Sequence, residues 1–346
     1  MSVSQTLAET LDRLPRTVLV DQPTPIQRLK RIEQALGPAL NGVTLHAKRD
    51  DLMGLGGGGS KLRKLEYLLG DARARGADVI VATGGIQSNF TRVTGAACAR
   101  EAIDCELVLA PLAPFSDDDY DRNGNVVLND LFGATVHTLA RGQSPAAFAE
   151  SRAAALTAEG RTPYLTPSGG SNATSALGYV RCALELDRQL HDLGLDEAII
   201  VTPNGSHATQ AGLLAGFKAL GRDPGRVRGV SVLAPADDGA RSTLAMANGA
   251  LDLLGIGERL APEDVRIDGG QLGGGYGLVT DAMTSALRLM ADHEGLLLDP
   301  VYGAKAFAGL LADVAAGRYP PGASVVLLMT GGVPALYAYR DVLPPR

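Results

Sequence analysis

Short apolar segments alternate with amphipathic segments along almost the whole chain, and this order constrains the fold more than any other feature of the sequence. Several apolar segments are rich in β-branched residues and apolar on both faces, which is typical of parallel strands covered by helices on both sides. Repeated strand-then-helix order predicts an α/β protein with right-handed crossovers. The predicted strands are VTLHAK (43–48), DVIVA (78–82), CELVLA (105–110), ATVHTL (134–139), PYLTP (163–167), EAIIVT (197–202), GVSVLA (229–234) and SVVLLMT (324–330).

Capping residues mark the beginnings of several predicted helices. A threonine or serine followed by proline is typical of a helix N-terminus, and this pair occurs at Thr24 and at Ser144. Ser60 precedes KLRKLEYLL, whose leucines fall on one helical stripe, and Thr280 precedes another helical segment. We therefore expect a helix to begin after each of these residues. The acidic segment 116–124 is interpreted as a solvated surface loop.

Charge and composition exclude several classes of protein. The net charge is −6 and the chain has no long basic run, so nucleic acid and anionic membranes are poor partners. No apolar run approaches the ~18 residues of a membrane-spanning helix, and the polar N-terminus does not resemble a secretory signal. The cysteines show no disulfide spacing, which indicates a reducing compartment. We expect a cytoplasmic protein without a nucleic-acid or membrane partner.

Glycine is the one compositional outlier, with 43 of 346 residues, about 12% where an average protein has roughly 7%. The glycine-rich loop 54–61 matches G-x-G-x-x-G superficially, but no acidic residue follows at the end of the next strand. The order Gly59, Ser60, Lys61 is not that of a Walker A loop. Lys61 stands at the first turn of a helix, where the helix dipole lowers the pKa of an amine and favours a nucleophile. An ordinary surface lysine is the open alternative.

Three more loops follow predicted strands, where ligands bind in open α/β sheets. Gln87, Ser88 and Asn89 stand together at a helix start, either as donors to an anion or as a capping cluster. Segment 203–209 has the order of a phosphate cradle, which an ordinary strand-to-helix turn shares. Its histidine has no partners at ligand spacing, so no metal site is predicted. Thr330 ends a buried strand, where its hydroxyl can face a ring nitrogen or cap a helix.

These loops together describe one kind of ligand. A lysine at a helix start can bind an aldehyde, a glycine-containing loop can hold a phosphate, and a ring of amide and hydroxyl donors can bind a carboxylate. All three lie at predicted strand ends. This combination fits pyridoxal 5'-phosphate (PLP) and an amino-acid substrate.

Five motifs, in order, resemble one family of PLP enzymes. They are GGSKLRKLEYL (58–68), GIQSN (85–89), GGSN (169–172) with ALGYV (176–180), DPVY (299–302) and TGGVPAL (330–336). They are similar to the fold-type II PLP-dependent enzymes of the D-cysteine desulfhydrase / 1-aminocyclopropane-1-carboxylate (ACC) deaminase family, and the likeness covers nearly the whole chain. The resemblance implies a tryptophan synthase β-like fold with two open, twisted, mostly parallel sheets flanked by helices. It also implies a homodimer whose subunit has a large PLP-binding domain (1–53 plus 167–346) and a small domain (54–166).

The resemblance further implies a role for each site residue. Lys61 forms the Schiff base with PLP, Asn89 bonds the phenolic oxygen, and Thr330 meets the pyridine nitrogen, while Lys64 is a helix residue and not the cofactor lysine. The phosphate is held by Gly205, Ser206, His207, Ala208 and Thr209. The substrate carboxylate is bound by Gln87, Ser88 and Asn89. The catalytic residues besides Lys61 are Ser88, Tyr276 and Tyr302.

Differences within the family bear on the activity. The deaminases carry glutamate and leucine where this chain has Gly303 and Thr330, whereas the desulfhydrases carry threonine at the position of Thr330. A hydroxyl cannot protonate the ring nitrogen as a carboxylic acid would, and the weaker electron sink suits β-elimination better than cyclopropane opening. The sequence therefore predicts a PLP-dependent C–S lyase similar to D-cysteine desulfhydrase, acting on a small amino acid. The alternatives are an ACC deaminase, an L-cysteate sulfo-lyase, a nicotinamide oxidoreductase using loop 54–59, and a PLP-binding protein without turnover, which the departures at Ser60, Phe90 and Gly303 allow.

Overall fold

A computed structural model describes residues 2–340 and 343 of the chain. Residue 1 and, at the end of the predicted large domain, residues 341, 342 and 344–346 lie outside the described residues. The strands of the described part are β1 (Ile26–Arg28), β2 (Thr44–Lys48), β3 (Val79–Gly85), β4 (Asp104–Ala110), β5 (Thr135–Thr138), β6 (Pro163–Leu165), β7 (Ile199–Asn204), β8 (Val227–Ser231), β9 (Arg266–Asp268) and β10 (Ser324–Leu328). Its α-helices are α1 (Val3–Asp12), α2 (Lys30–Leu36), α3 (Lys61–Ala74), α4 (Asn89–Glu101), α5 (Asp118–Arg122), α6 (Asn125–Leu131), α7 (Pro145–Ala158), α8 (Ala173–Asp192), α9 (Ala208–Ala219), α10 (Ala236–Leu253), α11 (Asp281–Glu294), α12 (Gly303–Ala315) and α13 (Pro334–Tyr337).

The strands form two sheets. The larger has the order β1-β2-β10-β7-β8-β9, in which β1 is antiparallel to β2 and the other neighbours are parallel. The smaller has the order β5-β4-β3-β6 and is parallel throughout. This confirms the predicted α/β class with two mostly parallel sheets. The strands of the smaller sheet lie between residues 79 and 165, within the predicted small domain, while the domain boundaries themselves stay a prediction.

The helix predicted after Thr24 is wrong, because β1 occupies this segment and α2 begins only at Lys30. The hydroxyl of Thr24 donates to the carboxylate of Asp50 at 2.7 Å, 26 residues away, and β1 pairs with β2. Contacts distant in sequence therefore override the local capping signal. The short strand β9 also escaped the sequence pattern, since three residues are too few to reveal an alternation. The other predicted helices begin where expected, at Lys61, Pro145 and Asp281.

Apolar side chains cover both faces of the larger sheet. One cluster joins the sheet to α8, α9 and α10, and another joins it to α11 and α12. A third cluster packs α3 and α4 on the smaller sheet. Burial on both faces explains why the strands read as continuous apolar runs. Among the described residues, no helix has the length and apolar character needed to cross a lipid bilayer.

Helix α3 packs closely on α8. A Cβ at Gly178 of α8 would lie 2.0 Å from the backbone oxygen of Arg63, so the helices can approach this closely only at a glycine. The guanidinium of Arg63 donates to the carboxylates of Asp50 and Glu185, both at 2.9 Å. The ammonium of Lys48, which is fully buried, also pairs with Glu185. This ion network holds the first turn of α3 in place against α8 and the end of β2.

Candidate active site

A small cavity lies where four segments meet: the start of α3, the loop between β7 and α9, the residue before α12, and the end of β10. It is lined by Lys61, Lys64, Pro203, Gly205, Ser206, His207, Thr209, Tyr302 and Thr330. Most of the residues predicted for the site are therefore brought together, although they come from distant parts of the chain. A larger cleft of about 600 Å³ lies beside Glu106 and Arg152. Those two side chains neutralise each other at 2.8 Å, whereas the smaller cavity combines two amines with an anion-binding loop.

Lys61 is the first residue of α3, directly after the glycine loop. The backbone of Gly59 passes the end of β10, where a Cβ would lie 3.0 Å from the carbonyl oxygen of Thr330, and its φ of +112° also favours glycine. The Lys61 Nζ lies 5.4 Å from the centre of the Tyr302 ring. Burial lowers the pKa of Lys61 to about 8, while the Asp299 carboxylate opposes this shift. Burial of the amine, more than the helix end, therefore prepares Lys61 as a nucleophile.

The loop after β7 forms an anion cradle. Helix α9 begins at Ala208, whose N–H donates to the carbonyl of Ser206 at 3.0 Å, and His207 before it has a φ of +73°, so the chain turns sharply beside the cavity that Thr209 lines. The hydroxyl of Ser171 donates to the hydroxyl oxygen of Ser206 at 2.7 Å, and that of Ser206 donates to the carbonyl of Gly169 at 3.2 Å. The cradle thus combines helix N-terminal donors with two hydroxyl groups, which suits a phosphate.

Lys64 is a site residue that the sequence analysis did not assign to the cavity. Its ammonium donates to the hydroxyl of Ser171 at 3.1 Å and lies 3.5 Å from that of Ser206, at the anion cradle. Burial and the charge of Lys61 hold the pKa of Lys64 well below its usual range. The signal for Lys64 was its spacing, because residues three apart on a helix share one face. Lys64 can add a positive charge to the cradle, and a bound anion would favour this charged form.

Tyr302 lines another side of the cavity, and Tyr276 contacts Tyr302. The hydroxyl groups of Tyr276 and Tyr302 lie 2.8 Å apart, and the ring of Tyr302 packs against Gly205, where a Cβ would lie 3.0 Å from the ring. Burial raises the pKa of both phenols, so they are neutral at physiological pH. Lys305 of α12 donates to the carbonyls of Leu272 and Gly275 at 2.8 and 3.3 Å, which ties the loop carrying Tyr276 to the helix that follows Tyr302.

Asp299 is a buried carboxylate that the sequence analysis noted only as part of a motif. It accepts hydrogen bonds from the N–H groups of Val301, Tyr302 and Gly303 at 3.1, 2.9 and 2.7 Å. Burial raises its pKa to about 6, although these bonds and the charge of Lys61 oppose the shift. Asp299 thus holds the backbone of Tyr302 and places a negative charge near Lys61.

Thr330 and Asn89 flank the glycine pair that follows β10. Thr330 lines the cavity, and α13 begins after Val333 without a side-chain cap, so Thr330 does not cap that helix. A Cβ at Gly332 would lie 2.5 Å from Nδ2 of Asn89, which places the Asn89 amide directly beside this loop. Ser88 caps α4, and its Oγ accepts a bond from Thr91 N–H at 3.2 Å. Its hydroxyl proton remains available to a carboxylate.

Gln87 is placed differently from the prediction that it binds substrate. Its amide N–H2 donates to the backbone carbonyls of Tyr120 and Asn123 at 2.5 and 2.9 Å, and its carbonyl accepts from the N–H of Asn125 at 2.9 Å. Both donors are consumed, so a direct contact with a carboxylate is not available in this structure. Segment 116–124 is likewise not a purely solvated loop, because the Tyr120 side chain is buried and the segment is docked on Gln87.

Comparison with known proteins agrees with this geometry. The sequence model of the family described as "Pyridoxal-phosphate dependent enzyme" matches residues 19–331. The chain is 39% identical over 337 residues to the 1-aminocyclopropane-1-carboxylate deaminase of Burkholderia ambifaria (strain MC40-6), covering 96% of this chain and 98% of that protein. It is 37% identical over 334 residues to the D-cysteine desulfhydrase of Serratia proteamaculans (strain 568), again covering 96% and 98%.

The fold comparison gives the same result. A crystal structure of an ACC deaminase homologue superposes with a TM-score of 0.85 at 33% identity and covers 98% of each chain. These findings confirm the resemblance drawn from the five motifs and identify PLP as the cofactor. They do not separate the two activities, since relatives of both names match at similar identity over nearly the whole chain. The chain belongs to the family of pyridoxal-phosphate dependent enzymes, with the fold-type II architecture of the ACC deaminases and D-cysteine desulfhydrases.

Proposed function

We propose that the protein is a C–S lyase that converts a cysteine-like amino acid, above all D-cysteine, and water into pyruvate, hydrogen sulfide and ammonia. The observation that carries the proposal is Thr330, because the side chain that the end of β10 contributes to the cavity is a hydroxyl and not a carboxyl group. Gly303, the first residue of α12, contributes no acidic side chain either. The 37% identity to the D-cysteine desulfhydrase of Serratia proteamaculans supports the proposal.

The residues around the cavity fit PLP in their chemistry. The amine of Lys61 suits the aldehyde, and the cradle of α9 with Lys64 suits the phosphate dianion. The amide of Asn89 suits the phenolic oxygen, and the hydroxyl of Thr330 suits the pyridine nitrogen. Gly205 keeps the Tyr302 side of the cradle open, since a Cβ there would press on the ring. When bound, PLP supplies an aldehyde for the substrate amine and a ring that accepts electrons.

The substrate carboxylate is assigned to Ser88 and the N-terminus of α4. The Ser88 oxygen accepts the capping bond from Thr91, and among the described residues its hydroxyl proton is not donated to a protein group. The helix N-terminus adds favourable charge for an anion. Gln87 fixes the loop before α4 through the hydrogen bonds of its side chain to the backbone of segment 120–125. Substrate binding therefore uses one side chain and a helix end, both held rigid by a docked segment.

Lys61 is the base that takes the α-proton of the substrate. Its pKa of about 8 keeps a substantial fraction of the amine neutral near physiological pH. The electron pair left on the α-carbon expels the β-substituent as thiolate, and water then replaces the amine, which leaves as ammonia. Tyr276 and Tyr302 remain neutral and hydrogen-bonded to each other, so they orient and enclose the substrate and do not act as bases.

Thr330 bears on the choice of substrate. A hydroxyl can hydrogen-bond the ring nitrogen but cannot transfer a full proton to it, so the α-carbanion is only modestly delocalised. A good leaving group such as thiolate or chloride needs little delocalisation, because it departs with the electron pair. Opening a cyclopropane has no such leaving group, so it would depend more on how strongly the pyridine ring of the cofactor accepts electrons. Elimination of sulfide is therefore favoured over ACC deamination.

A substrate panel tests the proposal. The holoenzyme is assayed with D- and L-cysteine, β-chloroalanine, L-cysteate and ACC, and pyruvate, 2-oxobutanoate, sulfide and ammonia are each quantified. The expected result is the highest kcat/KM with D-cysteine, with pyruvate, sulfide and ammonia in equal amounts. A preference for L-cysteate with release of sulfite would reassign the enzyme as a sulfo-lyase.

ACC deaminase is the second candidate, and the 39% identity to deaminases over nearly the whole chain favours it. The product distinguishes the two, because ACC yields 2-oxobutanoate and cysteine yields pyruvate. A kcat/KM for ACC above that for every thiol and chloro substrate would replace the first proposal with this one. The electronic argument from Thr330 would then be wrong.

A further inference from the structure

Three amide side chains form a row that leads from segment 120–125 to the cofactor site. The first is Gln87, whose orientation is set by backbone groups alone. Its nitrogen donates to two backbone carbonyls, at Tyr120 and Asn123, and its oxygen accepts a backbone N–H, that of Asn125. Reversing this amide would place its oxygen against two carbonyl oxygens. Gln87 therefore has one permitted orientation, and the start of α6 is held against the β3–α4 loop.

The second amide is Asn125, the first residue of α6, which is fully buried. Its Nδ2 donates to the backbone carbonyl of Gln87 at 3.1 Å and to Oδ1 of Asn89 at 3.0 Å. The carbonyl of Gln87 can only accept, so the nitrogen of Asn125 must be the atom on this side. Burial excludes water that could substitute for these bonds. The nitrogen of Asn125 is thus the only group that it can offer to Asn89.

The third amide is Asn89, and its orientation follows from the second. Because Asn125 presents a donor, Asn89 must turn its oxygen toward Asn125 and its Nδ2 away from it. That Nδ2 lies beside Gly332, next to the loop of Thr330. The end of the Asn89 amide beside this loop is therefore a donor, which is the polarity that a negatively charged phenolic oxygen requires.

We propose that Asn125 is a positioning residue that fixes the amide of Asn89 with its N–H2 group toward the phenolic oxygen of PLP. The inference rests on the contact between Asn89 and PLP in the proposed function. It goes beyond that contact, because it assigns a role to the first residue of α6. This residue lies outside the five motifs that carry the family resemblance. The segment 117–131 thereby becomes part of the machinery that sets the electronic state of the cofactor.

The test replaces Asn125 with its acidic isostere. In Asn125→Asp the carboxylate can only accept, so Asn89 turns its N–H2 toward residue 125 and its oxygen toward the phenolic oxygen. A lost donor makes the phenolic oxygen more basic, so the bound cofactor keeps its proton to higher pH. We expect the midpoint of the absorbance–pH titration of the Lys61-bound cofactor to rise by about one pH unit or more. The affinity of the apoenzyme for PLP should fall in parallel.

Asn129→Asp is the matched control. Asn129 lies one turn later on α6, is fully buried, and its amide has no hydrogen-bond partner among the described residues. Both variants bury a carboxylate in the same short helix and lower its thermal stability, but only Asn125 contacts Asn89. The control should leave the titration midpoint unchanged. An equal rise in the control would overturn the proposal, because a general effect of charge in α6 would explain both variants.

Asn125→Ala tests the same role without a buried charge, and it serves if Asn125→Asp does not fold. It frees Asn89 to rotate, so the midpoint should rise by less than in the aspartate variant. Asn89→Ala removes the amide altogether and so gives the largest expected rise in the titration midpoint. A shift in Asn89→Ala with none in either Asn125 variant overturns the positioning role alone. No shift in Asn89→Ala overturns the contact and this inference with it, whereas the substrate panel judges the proposed elimination separately.

Discussion

Lys61 and Lys64 line the same cavity from one turn of α3, yet they face different partners. Lys61 lies near the Asp299 carboxylate and the Tyr302 ring, whereas Lys64 contacts the hydroxyl groups of the anion cradle. Burial lowers the pKa of both amines. One helical turn thus supplies both a nucleophile and a phosphate-binding cation.

Borohydride reduction of the holoenzyme should attach the pyridoxyl group to Lys61. This residue follows the glycine loop directly, and its pKa of about 8 leaves the amine reactive. Peptide mapping by mass spectrometry locates the label. Lys61→Ala should lose turnover completely, since the same amine binds the cofactor and moves the proton. A label on Lys64 or Lys218 would contradict the assignment.

Lys64→Met should weaken PLP binding by about 10- to 100-fold, the range expected for losing a hydrogen bond to a charged group. Attachment at Lys61 should persist, because Lys64 serves the phosphate end. Fluorescence titration of the apoenzyme measures the affinity, with Lys218→Met as the control at a lysine outside the cavity. Pyridoxal, which lacks the phosphate, should bind both enzymes alike. Equal weakening for pyridoxal and PLP would disprove a phosphate role.

Thr330→Val keeps the shape of the side chain and removes its hydroxyl. We expect kcat for elimination to fall by about tenfold or more, at ~1.4 kcal/mol per decade. The unfolding temperature should change little, because Thr330 does not cap α13. Steady-state kinetics and a thermal melt together separate the roles. A variant that loses stability and keeps its turnover would show that the hydroxyl is structural.

Capture of PLP by the apoenzyme should depend on pH through Lys61. Only the neutral amine reacts, so the rate should rise with pH in a titration whose midpoint lies near 8. This midpoint is the pKa of Lys61, which burial lowers to about 8. Asp299 favours the charged amine, so Asp299→Asn should move the midpoint below that of the wild type. Stopped-flow absorbance measures the rate. Asp313→Asn, at a carboxylate paired with Arg318, is the control, and an upward shift in Asp299→Asn would contradict the sign.

Gly332→Ala and Gly317→Ala form a matched pair. Both positions have positive φ, +100° and +64°, so each alanine should cost about 1–2 kcal/mol of stability. The Cβ at residue 332 meets the amide nitrogen of Asn89 at 2.5 Å and, less closely, the Cβ of Asp299 at 3.1 Å, while nothing lies within 4 Å at residue 317. PLP affinity should therefore fall only in Gly332→Ala. Equal affinities in the two variants would separate Asn89 from the cofactor site.

The fold class follows from local patterns in the sequence. Strand-like and helix-like periodicities span only a few residues each, and all eight predicted strands occur in the structure. The starts of α3 and α9 were also predicted from the small-residue loops before them, although neither Ser60 nor His207 caps its helix with a side-chain hydrogen bond. These features can be predicted because the residues that determine them are neighbours in the chain.

Other features depended on contacts between distant segments. The local pattern predicted a helix after Thr24, but these residues form a strand because they pair with β2. Lys64 and Asp299 gained their roles only when α3, the cradle and the start of α12 came together. The amide of Gln87 turned from the substrate toward a segment more than 30 residues later. Asn125 reaches Asn89 across 36 residues, and the orientation of an amide is set by its partners, which only the folded chain brings within hydrogen-bond distance.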